Sequence, residues 1–203
     1  MYIHPLNRWE EAPEIVEFIQ KNSFATLVST ISGRPWATHI PLMLSEDKNG
    51  EAILHGHIAK ANPQWKELQE EVLVIFQGPH AYISSSWYNH ENVPTWNYLA
   101  VHAYCTIRLI EGDELMDHLK SLVNRFEEGR PNRVSVETMS EKYLESQLKG
   151  LIGVELKVKE VHSSAKLSQN RDSVNYKNIV KQLEASPFET EREIAVEMKK
   201  RMK

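Results

Sequence analysis

The chain has 203 residues, a formal net charge of −4 and a single cysteine, and 41% of its residues are hydrophobic. This length can bury a core in one large domain without cross-links. The mild acidity excludes a global attraction to nucleic acid or anionic lipid. The lone Cys105 excludes an intramolecular disulfide and a multi-cysteine zinc site. No segment resembles a secretion leader or a membrane span, so we expect a cytoplasmic protein without membrane contact.

The N-terminal half alternates between turn residues and β-rich segments. A short helix is predicted first, over residues 9–20. Strands are then predicted over residues 24–30, 36–44, 51–58, 73–77 and 81–84. Between the third and fourth of these strands, Asn62 and Pro63 are typical of a helix start, and Trp65, Leu68 and Val72 would form its buried stripe. The pair Gly78-Pro79 predicts a turn between the last two strands.

The C-terminal half contains longer regular segments. A polar and aromatic connection, residues 85–98, precedes a strand over residues 101–110, in which Cys105 is expected to be a small buried residue. Further elements are predicted as helices over 115–126 and 140–149, a strand over 152–161 and helices over 176–203 with a break at Ser186-Pro187. The pattern predicts a mainly β protein with helices (α+β), namely an antiparallel barrel with flanking and C-terminal helices.

The segment from Leu54 to Trp65, LHGHIAKANPQW, carries the strongest physical signal for a ligand. Lys60 lies two residues before the Asn62 cap, so its ammonium and the free N–H groups of the helix N-terminus would attract the same anion. We therefore predict a phosphate site there. A capped helix beside a solvated lysine explains the same residues, because such caps are common.

Two histidines in the same segment are alternative functional residues. His55 and His57 lie on one face of a strand, since side chains repeat every second residue. With His39 or His102 they could bind a metal such as zinc, but no carboxylate-bearing metal motif accompanies them. A hydrogen-bonding role for one imidazole is the simpler alternative, and we predict no metal.

The stretch from Phe76 to Tyr98 is rich in Trp and Tyr with interleaved hydroxyl and amide side chains. This composition suits a flat ring system with polar edges, and it equally suits a packed lid or a dimer interface. The chain lacks the glycine-rich dinucleotide and phosphate loops and the hydrolase nucleophile motif. No carboxylate pair stands out either, so the residues indicate a binding site without a catalytic residue.

Four motifs in order resemble the PaiB family of FMN-binding negative transcriptional regulators: HGHIAKANPQW, FQGPHAYISSSWY, VPTWNY and KLSQNR. The resemblance runs over nearly the whole chain. It implies a split barrel related to pyridoxamine-phosphate oxidases and flavin reductases, and a homodimer with FMN in clefts at the subunit interface. It also implies repression of sporulation and protease-synthesis genes. The predicted organisation is an FMN-binding split-barrel domain over residues 1–170, with residues 171–203 as its helical extension.

The resemblance also implies which residues hold FMN. For the phosphate it points to His57, Lys60 and Asn62, and for the ribityl chain or ring to Thr38 and His39. The residues expected to line the cleft are Ser84, Ser85, Trp87, Trp96 and Asn97. The motif that begins at Lys166 adds Gln169 and Asn170, on the substrate side or at the interface.

Two other functions compete with an FMN-binding regulator. A flavin-dependent oxidoreductase of the pyridoxamine-phosphate-oxidase or flavin-reductase type would use the same cofactor, and related scaffolds host different functions. Direct DNA binding is weaker on physical grounds, because the charge is acidic and no helix-turn-helix is evident. The Lys- and Arg-bearing helices after Asn170, or the tail from Met198 to Lys203, would have to make the contact, duplicated in a dimer.

Overall fold

The computed structural model describes residues 1–68 and 70–202, and in these it contains seven strands and five α-helices, joined in places by short 3₁₀ helices. The strands are β1 Phe24–Ile31, β2 Arg34–Pro41, β3 Met43–Glu46, β4 Ala52–Ala59, β5 Glu71–Ile83, β6 Thr95–Ile110 and β7 Leu151–Lys166. The helices are α1 Ala12–Lys21, α2 Gly112–Glu127, α3 Glu141–Leu148, α4 Ser173–Glu184 and α5 Glu189–Lys200. No helix in this part of the chain is long and apolar enough to cross a membrane.

The strands form one sheet in the order β2-β1-β5-β6-β7-β4-β3. The β1–β2, β1–β5, β3–β4 and β4–β7 pairs are antiparallel. The β1–β2 hairpin turns through Ser32 and Gly33, which have φ angles of 49° and 76°. Two positive φ angles in succession match the twist of a tight hairpin. The predicted α+β class, with an antiparallel sheet, is therefore confirmed.

The chain forms two compact units. The first consists of Met1–Phe18, Phe76–His102 and His162–Lys203, and the second of Ile19–Ile75 and Ala103–Val161. Helices α4 and α5 belong to the first unit, together with the end of β7. The division at residue 170 stays a prediction.

The core of the first unit combines strand and helix residues. Phe76 and Val101 are fully buried on β5 and β6, and α4 and α5 bury Leu183 and Ile194 completely. Asp172 caps α4, because its carboxylate accepts hydrogen bonds from two backbone N–H groups of the first turn. The helices end and restart around Ser186-Pro187 as predicted.

The core of the second unit lies on alternating strand residues. Leu27, Leu54 and Leu156 are each 0% exposed on β1, β4 and β7. Cys105 is buried on β6, and burial raises the pKa of its thiol to about 12. The thiol is therefore protonated near neutrality, which confirms the prediction that Cys105 is a small buried residue.

The predicted strand over residues 36–44 is wrong, because it is two strands. β2 pairs with β1 and ends at Pro41, whereas β3 begins at Met43 and pairs with β4. Pro41 has no N–H to continue the ladder, and the next N–H, of Leu42, donates to the Ser23 carbonyl (2.8 Å).

The predicted turn at Gly78-Pro79 is also wrong, because β5 continues through it. Gly78 serves a close approach: a Cβ atom there would lie 2.8 Å from Cζ of Phe18 and still closer to Cε2. A glycine in a strand often marks such an approach. β6 begins at Thr95, six residues before the predicted Val101, and β7 continues to Lys166. These extensions place Trp96, Asn97 and Lys166 on strands.

Candidate functional site

Asn62 caps a single helical turn and not the predicted α-helix. Its Oδ1 atom accepts a hydrogen bond from the backbone N–H of Gln64 (3.1 Å), as an N-cap does. The helix is a 3₁₀ helix over Pro63–Lys66, and β5 begins at Glu71. Val72 is buried on that strand, while Trp65 and Leu68 are half-buried, so the predicted stripe is wrong. One turn of helix is too short to provide the dipole on which the phosphate prediction partly relied.

A buried glutamine organises the residues around this turn. Gln64 is 0% exposed and accepts a hydrogen bond from the Thr38 hydroxyl (2.5 Å). Its amide nitrogen donates to Oγ of Ser29 (2.9 Å), and Nδ2 of Asn62 donates to Oγ1 of Thr38 (2.8 Å). The fold thus brings the predicted residues Thr38 and Asn62 together, and their side chains form hydrogen bonds with each other and with Gln64. Sequence analysis missed Gln64, whose only signal was its position inside the HGHIAKANPQW motif.

Lys60 has a fixed backbone and a free charge. Its N–H donates to the Gly150 carbonyl (2.7 Å), and its own carbonyl accepts from Nε1 of Trp65 (2.9 Å). The side chain is exposed, and among the described residues its ammonium has neither a hydrogen bond nor an ion pair. Lys60 can therefore bind an oxyanion without breaking an existing contact. His39 is exposed, with its ring edge against Phe24 (centroids 6.1 Å apart).

His57 and His55 share one face, as predicted, and both lie beside His118 of α2. Nδ1 of His57 is 3.3 Å from Nε2 of His118, and Nε2 of His55 is 3.2 Å from Oε2 of Glu155. Burial lowers the pKa of His57, and burial with the neighbouring histidines lowers the pKa of His118 to about 4. Within residues 1–68 and 70–202, no three His, Cys, Asp or Glu side chains are grouped to hold a metal ion.

Arg108 connects two carboxylates beside these histidines. Its Nε donates to Glu155 (2.7 Å) and its Nη1 to Glu114 (2.9 Å), and these hydrogen bonds lower the pKa of both carboxyl groups. Arg108, the two glutamates and His55 line a cavity of about 480 Å³ in the second unit. No local motif pointed to this group, because its members are distant in the chain.

The aromatic motifs of the first unit expose a ring surface. The Trp96 side chain on β6 is 53% exposed, and its ring lies 5.8 Å from Tyr82 and 6.0 Å from His80. Trp87 is half-buried in a 3₁₀ helix, Ser85–Trp87, and Oγ of Ser84 caps this helix by accepting from the N–H of Ser86 (3.2 Å). Ser84 therefore has a structural partner, whereas Trp96 presents free aromatic surface.

The VPTWNY and KLSQNR motifs converge in the first unit. Lys166 donates from Nζ to Oγ1 of Thr95 (2.6 Å), and the buried Asn97 accepts from Oγ of Ser168 (3.0 Å). Gln169 folds back so that its Oε1 accepts from the N–H of Leu167 (2.7 Å). Four predicted residues line one cavity of about 420 Å³: Asn97, Lys166, Gln169 and Asn170.

The predicted FMN contacts thus belong to two different units. The second unit contains Thr38, His39, His57, Lys60 and Asn62. The first unit contains Ser84, Ser85, Trp87, Trp96, Asn97, Lys166, Gln169 and Asn170. That these residues contact FMN stays a prediction.

The seven-stranded antiparallel sheet with its helices defines a protein of the split-barrel fold. A solved FAD- and haem-binding protein from Mycobacterium smegmatis is similar in fold, with a TM-score of 0.63 and 16% identity, over 84% of this chain and 78% of that one. The flavocytochrome Anf3 from Azotobacter vinelandii gives a TM-score of 0.57 and 18% identity, over 85% of this chain and 75% of that one. At such identities the similarity establishes the fold alone.

The chain belongs to the family described as "Putative FMN-binding domain", whose model matches residues 1–160. It is also 44% identical over 205 aligned positions to the "Protease synthase and sporulation protein PAI 2" of Bacillus subtilis (strain 168). That alignment covers 100% of this chain and 99% of the relative. The resemblance to the PaiB family is confirmed.

Proposed function

We propose that this protein binds FMN and acts, as a cytoplasmic homodimer, as a negative transcriptional regulator of sporulation and protease-synthesis genes. Membership of the FMN-binding family and the full-length similarity to a sporulation protein support the proposal. The structural observation that carries it is Lys60, which lies in the HGHIAKANPQW motif. Hydrogen bonds hold its backbone in place, and among the described residues its ammonium has no counter-ion.

The residues present suit the chemistry of FMN. In the second unit, Lys60 offers the cation that a phosphate needs. In the first unit, Trp96 and Tyr82 expose aromatic surface of the kind that a flat ring contacts. Thr38 and Asn62 hydrogen-bond to each other and to Gln64, so we assign them the support of the Lys60 segment. When bound, FMN supplies hydride or electron transfer, and the protein supplies binding and orientation.

The decisive experiment compares Lys60→Ala with Lys66→Ala. Lys66 is a matched control in the same segment, exposed and lying over the Trp65 ring (5.5 Å). Loss of a charge-assisted contact should weaken FMN binding about tenfold in Lys60→Ala, while Lys66→Ala stays close to the parent protein. FMN titration followed by flavin fluorescence provides the measurement. Equal FMN affinity in both variants would refute the phosphate assignment.

A flavin-dependent oxidoreductase is the second candidate. The observation in its favour is the uncharged His57–His118 pair beside a cavity that His118 lines, because the hydrogen-bonded rings can relay a proton that a bound substrate delivers to one of them. Flavin-loaded protein that consumes NAD(P)H catalytically would favour this function. Flavin-loaded protein without turnover, which represses a reporter in cells, would favour the regulator.

A further inference from the structure

The charged side chains that line the cavity of about 420 Å³ in the first unit are all positive among the described residues. Its lining includes two permanent cations, Lys166 and Arg171, and one histidine, His4, but among the described residues no aspartate or glutamate. The remaining polar groups are neutral hydroxyls and amides, and Leu6 with Val93 adds an apolar wall. Its volume falls within the range of small-molecule sites, about 300–1,000 Å³. The cavity therefore has the size and the sign of charge to receive a small anion.

Neither cation is neutralised by the part of the protein that the structure describes. Nζ of Lys166 donates to a neutral hydroxyl, that of Thr95. Arg171 stacks over the Tyr88 ring (4.8 Å), and its buried Nε has no hydrogen-bond partner. Within residues 1–68 and 70–202, neither side chain forms an ion pair. Because a half-buried charge is stabilised by an opposite charge, an anion in this cavity would stabilise both cations.

The turn that joins these two cations contains a left-handed residue that hydrogen bonds hold in place. Ser168 is buried and has a φ angle of 62°, a left-handed conformation that non-glycine residues rarely adopt. Its hydroxyl donates to Asn97, and its carbonyl accepts from the N–H of Arg171 (3.0 Å). Such strain persists only where surrounding contacts enforce it, and it is frequent at functional sites. Here it holds Lys166 and Arg171 on the wall of one cavity.

We propose that this cavity is an oxyanion-binding site, in which Lys166 and Arg171 bind the carboxylate or phosphate of a small organic anion. Carboxylates and phosphates pair with both cations through charge-assisted hydrogen bonds, and the apolar wall accepts the rest of the molecule. The oxyanion belongs either to a free small acid that acts as an effector or to the phosphate of the flavin. Only the second source rests on the proposed function, and it would place the flavin phosphate in this cavity instead of at Lys60.

The test measures binding of inorganic phosphate and of citrate to flavin-free protein by thermal shift, at constant ionic strength set with chloride. Lys166→Met and Arg171→Met should each weaken a saturable effect about tenfold. Lys181→Met removes an exposed cation of α4 and serves as the matched control. Circular dichroism of each variant separates lost binding from lost folding.

Flavin affinity of the same variants identifies the source of the oxyanion. Unchanged FMN affinity in Lys166→Met, with lost citrate or phosphate binding, supports a separate acid. FMN affinity that falls with Lys166→Met and Arg171→Met but not with Lys181→Met supports the flavin phosphate. The inference is overturned if neither probe stabilises the parent protein and FMN affinity is unaltered. It is equally overturned if the two methionine variants keep the full effect of both probes. The probe assay needs no flavin, so failure of FMN binding leaves it interpretable.

Discussion

Nδ1 of His57 and Nε2 of His118 lie 3.3 Å apart, a distance at which one nitrogen donates a hydrogen and the other accepts it. Two protonated rings cannot form this contact, because all their nitrogens are donors. Burial disfavours the charged form of each ring, and His55 lies close to His118 as a further source of repulsion (ring centroids 6.3 Å apart). The pair is therefore a neutral unit at physiological pH.

This pair makes stability depend on pH. The pKa of His118 is about 4 in the folded protein against 6.5 in an unfolded chain, so the unfolded state binds more protons between these values. The contribution of His118 to the free energy of unfolding is fully present above pH 6.5 and is lost as the pH falls toward 4. From the His118 proton alone we expect the free energy of unfolding to be about 2 kcal/mol lower at about pH 5 than at about pH 7.5, since each pKa unit is worth about 1.4 kcal/mol. Urea denaturation at several pH values measures it.

The His118→Gln variant isolates this contribution from those of the carboxylates. Glutamine keeps a polar group near His57 but does not titrate. The difference in the free energy of unfolding between the parent protein and the variant should therefore become smaller as the pH falls. His90→Gln, at an exposed position, is the control. Parallel stability curves for the parent protein and His118→Gln would contradict the expected neutral pair.

We expect any side chain at position 78 to clash with the ring of Phe18 in the first unit. A Cβ atom on residue 78 would lie 2.8 Å from Cζ of Phe18 and still closer to Cε2, and the ring packs edge-on against Trp9 (5.3 Å). Gly78→Ala should therefore destabilise the protein by about 1–3 kcal/mol. Phe18→Leu removes the ring edge, so the double variant should lose less stability than the sum of the two single variants. Thermal unfolding measures all three, and strict additivity would show that the ring can move away freely.

Gly78 also illustrates how far the sequence could predict the fold. Periodicity located α2, β1 and β4 within a few residues, because amphipathic patterns report burial directly. Gly78-Pro79 looked like a turn because the partner of the glycine, Phe18, is far away in the sequence. Such close approaches belong to tertiary structure and leave only an ambiguous glycine in the chain.

The same limit applies to the candidate site. Asn62 was found through its motif and Thr38 through the family resemblance, and the two residues do meet, but no local signal singled out the buried Gln64 that joins them. His118 and Glu155 could not be connected to the HGHIAKANPQW motif, because they come from α2 and β7. Local composition marked the segments, while the hydrogen-bond partners depended on the fold.

We expect substitution of Gln64 to cause a large loss of stability. Its amide satisfies Ser29 and Thr38 in a fully buried position, so Gln64→Leu leaves polar groups without partners. An unsatisfied buried polar group costs about 1–3 kcal/mol. Because the hydroxyls of both Ser29 and Thr38 lose their partner, we expect the free energy of unfolding to fall by roughly 2–4 kcal/mol. Gln20→Leu, at an exposed position of α1, makes the same chemical change and provides the matched control. A loss below about 1 kcal/mol in urea denaturation would show that water replaces the amide.

The Lys and Arg residues at the end of α5 already form ion pairs with which DNA phosphates would have to compete. Lys199 pairs with Glu184 (2.6 Å), Lys200 with Glu197 (2.8 Å), and Arg201 with Glu197 (3.0 Å); Lys203 lies outside the described residues. Phosphate contacts would have to replace these pairs on a chain whose net charge is −4. We therefore expect any specific DNA binding to be weak and to fall at least about tenfold between about 50 and 200 mM salt, through counterion release.

Glu184→Gln provides the sharpest variant for this question. Releasing Lys199 from its carboxylate should raise DNA affinity severalfold at low salt if α5 contacts phosphates, and Glu184→Gln combined with Lys199→Gln should cancel the gain. Glu128→Gln, at an exposed position distant in sequence, is the control for the loss of one negative charge. Gel shifts on the upstream region of the protein's own gene measure the affinities. The absence of any shift at low salt would exclude direct contact, and regulation would then require a partner that binds DNA.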